Sequence, residues 1–104
     1  MLVGKKEKII GLNLDLIDRD ILSSIAEKIE KEVKSFIEKQ VPPKTNYDVI
    51  ILLENDRKRI NFSIDIVLNG EFAGVIHYDA IVGDAVNVAR KILEQELQKY
   101  RKTS

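Results

Sequence analysis

Arg57-Lys58-Arg59 is a dense run of positive charge, and Arg90-Lys91 and Lys99-Tyr100-Arg101-Lys102 are two further clusters. Such groups could recognise phosphate: lysine offers a compact ammonium, while arginine adds a planar fork that grips two oxygens and stacks on bases. Arg57, Lys58, Arg59, Arg90, Lys91, Lys99, Arg101 and Lys102 are therefore the candidate RNA-binding residues. Lys5, Lys6 and Lys8 stand closer to ordinary solubilising charge. Covalent and acid–base chemistry lacks its parts. His77 is the single histidine and cysteine is absent, so there is neither a histidine relay nor a thiolate nucleophile. Asp48, Asp65 and Asp79 do not form a metal-ligand run. No phosphate-binding loop or dinucleotide fingerprint occurs. The chain reads as a non-enzyme without cofactor, metal or small-molecule substrate. His77 reads as an inert exposed side chain, and Tyr47 and Tyr78 as packing residues.

The 17 basic and 17 acidic side chains cancel. Neutrality argues against broad polyanion binding, which draws on a uniformly positive field, but leaves room for a local patch. A length of 104 residues suits one domain, 1–104, with 1–5 and 102–104 expected to fray. No apolar run approaches the ~18 residues of a membrane span. The first residues lack the apolar region of a signal peptide. Together with the absence of cysteine, this makes a cytoplasmic location the expectation.

Periodicity supplies the elements that must carry these residues. Lys6–Leu12 is a candidate first strand. Ile21, Leu22, Ile25, Ile29, Val33, Phe36 and Ile37 mark one stripe of a helix over 19–40, capped by Asp18 and stopped by Pro42-Pro43. Its opposite face alternates acid and base and reads as solvated. Tyr47–Leu53 is apolar on both sides from Val49 to Leu53, the mark of an interior strand. Glu54–Arg59 is a charged turn. Ile60, Phe62, Ile64, Ile66 and Leu68 then alternate with polar residues, as in a strand with one buried face. Asn69-Gly70 signals a hairpin into a fourth strand, Glu71–Tyr78, whose His77 would lie on the wet face. Asp79 or Asp84 caps a last helix ending near Tyr100. The expected fold is α+β, β-α-β-β-β-α: a four-stranded sheet with both helices on one face. Its first two strands would be parallel if adjacent. The last five elements have the order of a double-stranded-RNA-binding domain.

In this order the sequence resembles the ribosome hibernation promoting factor and ribosome-associated inhibitor A family, also called sigma-54 modulation proteins, in its short form. Ile10-Gly11-Leu12-Asn13-Leu14-Asp15-Leu16 resembles the family's first strand and G-x-N turn. Leu53-Glu54-Asn55-Asp56-Arg57-Lys58-Arg59 resembles its V-E-K-x-R-H turn. Ile60 to Gly70 resembles its V-E-V-T-I-x-x-N-G strand. Gly83, Asp84, Ala85, Val86, Asn87, Ala89, Leu93, Glu94, Leu97, Lys99 and Tyr100 fall in register with its final helix. The resemblance implies a translation inhibitor that contacts rRNA in the decoding region of the small ribosomal subunit. Its partner would be the ribosome, in ribosome hibernation and stress response. Two basic positions of the family's final helix fall on Ile92 and Gln95, with Arg90 and Lys91 just before them. Two alternatives stand beside this reading: a double-stranded-RNA-binding-like domain, or a small interaction module with no RNA partner. The latter would form a homodimer through its exposed sheet face, where Val67, Ala73 and Val75 are expected.

Overall fold

The computed structural model describes residues 2–9, 12–70 and 78–101. Ile60, Phe62, Ile64, Ile66 and Leu68, at most 1 % exposed, form the inner face of a strand, β3 (Ile60–Asn69). β3 occupies the centre of a three-stranded antiparallel sheet. On one side lies β1 (Leu2–Ile9), with Leu2 opposite Val67 and Ile9 opposite Ile60. On the other lies β2 (Asn46–Asn55), with Asn46 opposite Asn69 and Asn55 opposite Ile60.

The helices are α1 (Arg19–Gln40) and α2 (Tyr78–Leu97). Thus β1 precedes an α-β-β-α unit. Leu22, Ile25, Ile29, Val33 and Ile37 of α1 meet the sheet and α2 through one buried stripe. Val82, Ala85, Val86, Ala89, Leu93 and Leu97 supply the stripe of α2. Apolar residues at spacings of three and four generate both stripes. Asp18 caps α1 by accepting the Ile21 amide at 2.8 Å. At its other end Val41 takes an extended φ and ψ before the two prolines.

The four-stranded, double-stranded-RNA-binding-like sheet expected from the sequence is not formed; among the described residues the sheet has three strands. The first strand covers Leu2–Ile9 where Lys6–Leu12 was expected. It runs antiparallel to β3. β1 and β2 point the same way but lie on opposite sides of β3, a split β-α-β arrangement. The expected fourth strand falls on 71–77, outside the described residues. Tyr78 is instead the first residue of α2 and is buried, which leaves Asp79 in the first turn and Asp84 inside the helix.

Gly70 is selected by space. A Cβ there would lie 2.7 Å from Tyr78 Oη and 3.2 Å from Thr45 Oγ1. Both hydroxyls are buried without a hydrogen-bond partner among the described residues. Gly70→Ala should destabilise by roughly 1–3 kcal/mol through overpacking. Tyr78→Phe in the same chain should recover much of that loss, because it removes both the colliding oxygen and an unpaired buried polar group. Urea unfolding of the two single variants and the double variant measures this coupling. Strictly additive effects would show that Tyr78 is not what Gly70 accommodates.

Candidate interaction surface

The turn between β2 and β3 is organised by two side chains from its own sequence. Asp56 Oδ1 accepts the amides of Lys58 and Arg59, each at 2.9 Å. Its Oδ2 receives Asn61 Nδ2 at 3.1 Å and lies 3.5 Å from Arg59 Nε. These donors, the two backbone amides first, hold the Asp56 carboxyl at about 2, below its ordinary 3.8. Asn55 Oδ1 accepts the Arg57 amide at 2.9 Å. Arg57 takes a left-handed backbone with φ 72°, uncommon for a residue with a β-carbon and supported here by these side-chain bonds.

Asn55 also ties the turn to the entry of α1. Its Nδ2 donates to the carbonyls of Leu14 and Ile17, both at 3.1 Å. Leu14–Leu16 is a short 3-10 turn. The same segment receives the end of the chain: the Asn13 amide donates to Tyr100 O at 2.6 Å, and Leu12 bridges Arg101. Arg57, Lys58 and Arg59 therefore share one end of the molecule with Lys99 and Arg101. Arg90 and Lys91 do not join them, lying ~12–14 Å further up the helix at 1.5 Å per residue. Lys102, His77 and the expected Ala73 and Val75 fall outside the described residues.

Part of the charge at this end is already answered by acid, Arg59 by Asp56 and Lys99 by Glu96. Lys99 pairs with Glu96 at 3.2 Å, and Glu96 also takes Lys28 of α1 at 2.5 Å. The hydrogen bond from Lys28, then that from Lys99, holds the Glu96 carboxyl below its usual range. The bond to Glu96 raises Lys28 in turn. Tyr47, half-buried on β2, donates its hydroxyl to Glu38 of α1, and that bond raises the phenol. Asp15, Asp18, Glu54 and Asp56 add further acid around the turn.

On β2 and β3 the open sheet face is not basic. Register places Asp48 beside Val67, Ile50 beside Asp65, Leu52 beside Ser63 and Glu54 beside Asn61. Ile50 is 63 % exposed and Leu52 52 %, and they stand on an edge strand. On the other side of β2, Ile51 and Leu53 are only half-buried. They line a groove of about 840 Å³ against Leu14, Ile17, Leu22 and Ala26, with Arg19 and Arg57 among its polar lining.

The sequence reading missed this groove. Its signal was the aliphatic run Val49–Leu53, read as an interior strand, which the structure puts at an edge. Among the described residues, no cluster of three or more histidines, aspartates or glutamates is placed to hold a metal. Nor is any helix there long and apolar enough to cross a membrane. Comparison with protein-family models, with curated proteins and with solved structures finds no match.

Asp56→Ala should release the Lys58 and Arg59 amides, and their hydrogen exchange should accelerate while the core amides stay protected. Because the folded carboxyl is depressed, its support for the turn is complete above the ordinary value of 3.8 and disappears as pH falls through about 2. In the unsubstituted chain the protection of those two amides, relative to the intrinsic exchange rate at each pH, should fall over that interval, as nuclear magnetic resonance can follow. Equal exchange in both chains at pH 6 would refute the assignment.

Proposed function

We propose that this chain is a non-catalytic protein-interaction module that binds another polypeptide along the outer edge of β2, which is unpaired among the described residues. One observation supports the reading. Val49-Ile50-Ile51-Leu52-Leu53 is aliphatic on both faces, yet it lies on an edge strand with Ile50 and Leu52 more than half exposed. An unpaired edge offers a row of amides and carbonyls to an incoming strand, and proteins that do not use such an edge blunt it with charge. β1, at the other edge, has Lys5-Lys6-Glu7-Lys8 in its sequence; β2 has no charge from 49 to 53. An added strand would complete the edge ladder, and the groove beside α1 would receive its alternate side chains.

Ile50→Lys with Leu52→Lys tests this reading. Both side chains are exposed, so circular dichroism and the unfolding midpoint should barely change. A partner recovered with the tagged parent chain should be lost with the variant. Equal recovery by both, with the variant folded, would sink the reading.

A second reading follows the family resemblance: a hibernation factor contacting small-subunit rRNA. The gathering of Arg57–Arg59, Lys99 and Arg101 at one end of the molecule supports it. Phosphate contacts weaken steeply with salt. The chain should then co-sediment with small ribosomal subunits at low salt and leave them at high salt, and Arg57→Ala with Arg59→Ala should weaken the association. Failure to co-sediment at low salt would overturn this second reading.

A further inference from the structure

The aliphatic run on β2 is symmetrical in its chemistry. Reading outward from Ile51, Ile50 and Leu52 are matched aliphatics on the open face, Val49 and Leu53 are matched on the helix side, and Asp48 and Glu54 close the run with acid at both ends. Ile51, at the centre, faces the groove. A strand that must be covered on its edge and reads alike in both directions is suited to pair with itself.

We propose that the strand added to β2 is the β2 of a second copy, antiparallel across a two-fold axis passing beside Ile51. This rests on the strand-addition reading above and names its partner. In an isologous contact, residue i meets j as j meets i, and an axis normal to the sheet keeps each residue on its own face. Only positions on the same face can then lie opposite one another. An axis beside any one residue satisfies this, and the three nearest the middle of the run lie at Ile50, Ile51 and Leu52.

An axis at Ile50 sets Asp48 against Leu52 of the second copy, and an axis at Leu52 sets Ile50 against Glu54. Each puts a carboxylate against an exposed aliphatic on the open face. An axis at Ile51 sets Ile50 against Leu52, Val49 against Leu53, and Ile51 against itself, so every aliphatic residue of the run meets another. The partner's helix-side residues come to rest beside Ser23 and Ala26, two small side chains of α1 on the groove wall. Two three-stranded sheets become one continuous sheet, and β2 becomes the interior strand that its sequence describes.

The arrangement carries a charge signature. Asp48 lies opposite Glu54 of the other copy, twice, at the rim of the pairing. Like charges directly opposite are unfavourable, and exposed ones are screened by salt. Added salt therefore tightens this dimer, the reverse of its effect on phosphate contacts.

The test uses the full chain, which contains no cysteine to interfere. Residues directly opposite in an antiparallel pair have Cα atoms about 4.5–5.5 Å apart, within disulfide reach. Light scattering should give twice the 11.9 kDa of one chain, with dimerisation strengthened by salt. Ile51→Cys should cross-link to itself on oxidation. Ile50→Cys and Leu52→Cys should cross-link when mixed far faster than either does alone. Ile50→Lys with Leu52→Lys should raise the dimer dissociation constant by at least about tenfold while leaving the fold intact.

Self-linking at 50 or 52 in preference to 51 would overturn the register and with it the proposal. So would a chain that stays monomeric at every concentration and salt. A monomer that still binds a different polypeptide, lost in the lysine variant, would overturn the second copy but keep strand addition. A monomer with no such partner would overturn both.

Discussion

The structure depends on the occupation of both edges of β3. Its inner face is almost wholly buried, unlike that of β2, and a strand so buried is best placed at the centre, where neighbours on both sides keep water from its backbone. β1 and β2 then have one position each, and α1 must carry the chain across the sheet between them. β2 is left with its outer edge unpaired among the described residues. Because α1 begins beside the far end of β2, as the bonds from Asn55 to Leu14 and Ile17 record, the β2–β3 turn meets the entry to α1. α2 ends at the same place, where Asn13 takes the carbonyl of Tyr100. The edge, the groove and the gathering of basic residues are three consequences of one packing choice.

What local chemistry decides was legible in the sequence. α1 runs from the residue after its aspartate cap to the residue before Val41, because a cap and a proline pair act within a turn of where they stand. β2 and β3 appear within one or two residues of their expected limits, and the charged turn lies where expected. The order of strands was not legible. Alternation says which face of a strand is buried and nothing about which neighbour it pairs with. Asn69-Gly70 carries the sequence of a tight hairpin, but the glycine answers a long-range demand, the approach of Tyr78 and Thr45.

The candidate basic residues were visible by type, and the further cation that shares one of their acidic partners was not. Lys28 and Glu96 are separated by 68 positions, and only the packing of α1 on α2 brings them together. Asp56 and Glu96 stand three residues from the Arg59 and Lys99 they pair with, whereas the meeting of the β2–β3 turn with the end of the last helix is a property of the fold. The groove was hidden for a related reason. Its lining comes from β2, the 3-10 turn and α1, and it is open because β2 stands at an edge, a fact the run Val49–Leu53 contradicts when read alone.

That contradiction bears on how the zero net charge should be understood. Against a polyanion, neutrality is a handicap, because attraction over distances beyond a few ångströms needs an excess of one sign. Between two copies of one chain the excess works in reverse, since any net charge repels its own kind. A surface meant for self-pairing gains from a chain whose charges cancel, with the remaining like-charged contacts kept to a solvent-exposed rim. β2 fits that condition: five aliphatic residues in succession, acid only at the two ends, and a turn whose cations are partly satisfied by Asp56. The same balance of 17 against 17 that weakens a nucleic-acid partner therefore removes the main electrostatic obstacle to a partner of identical sequence.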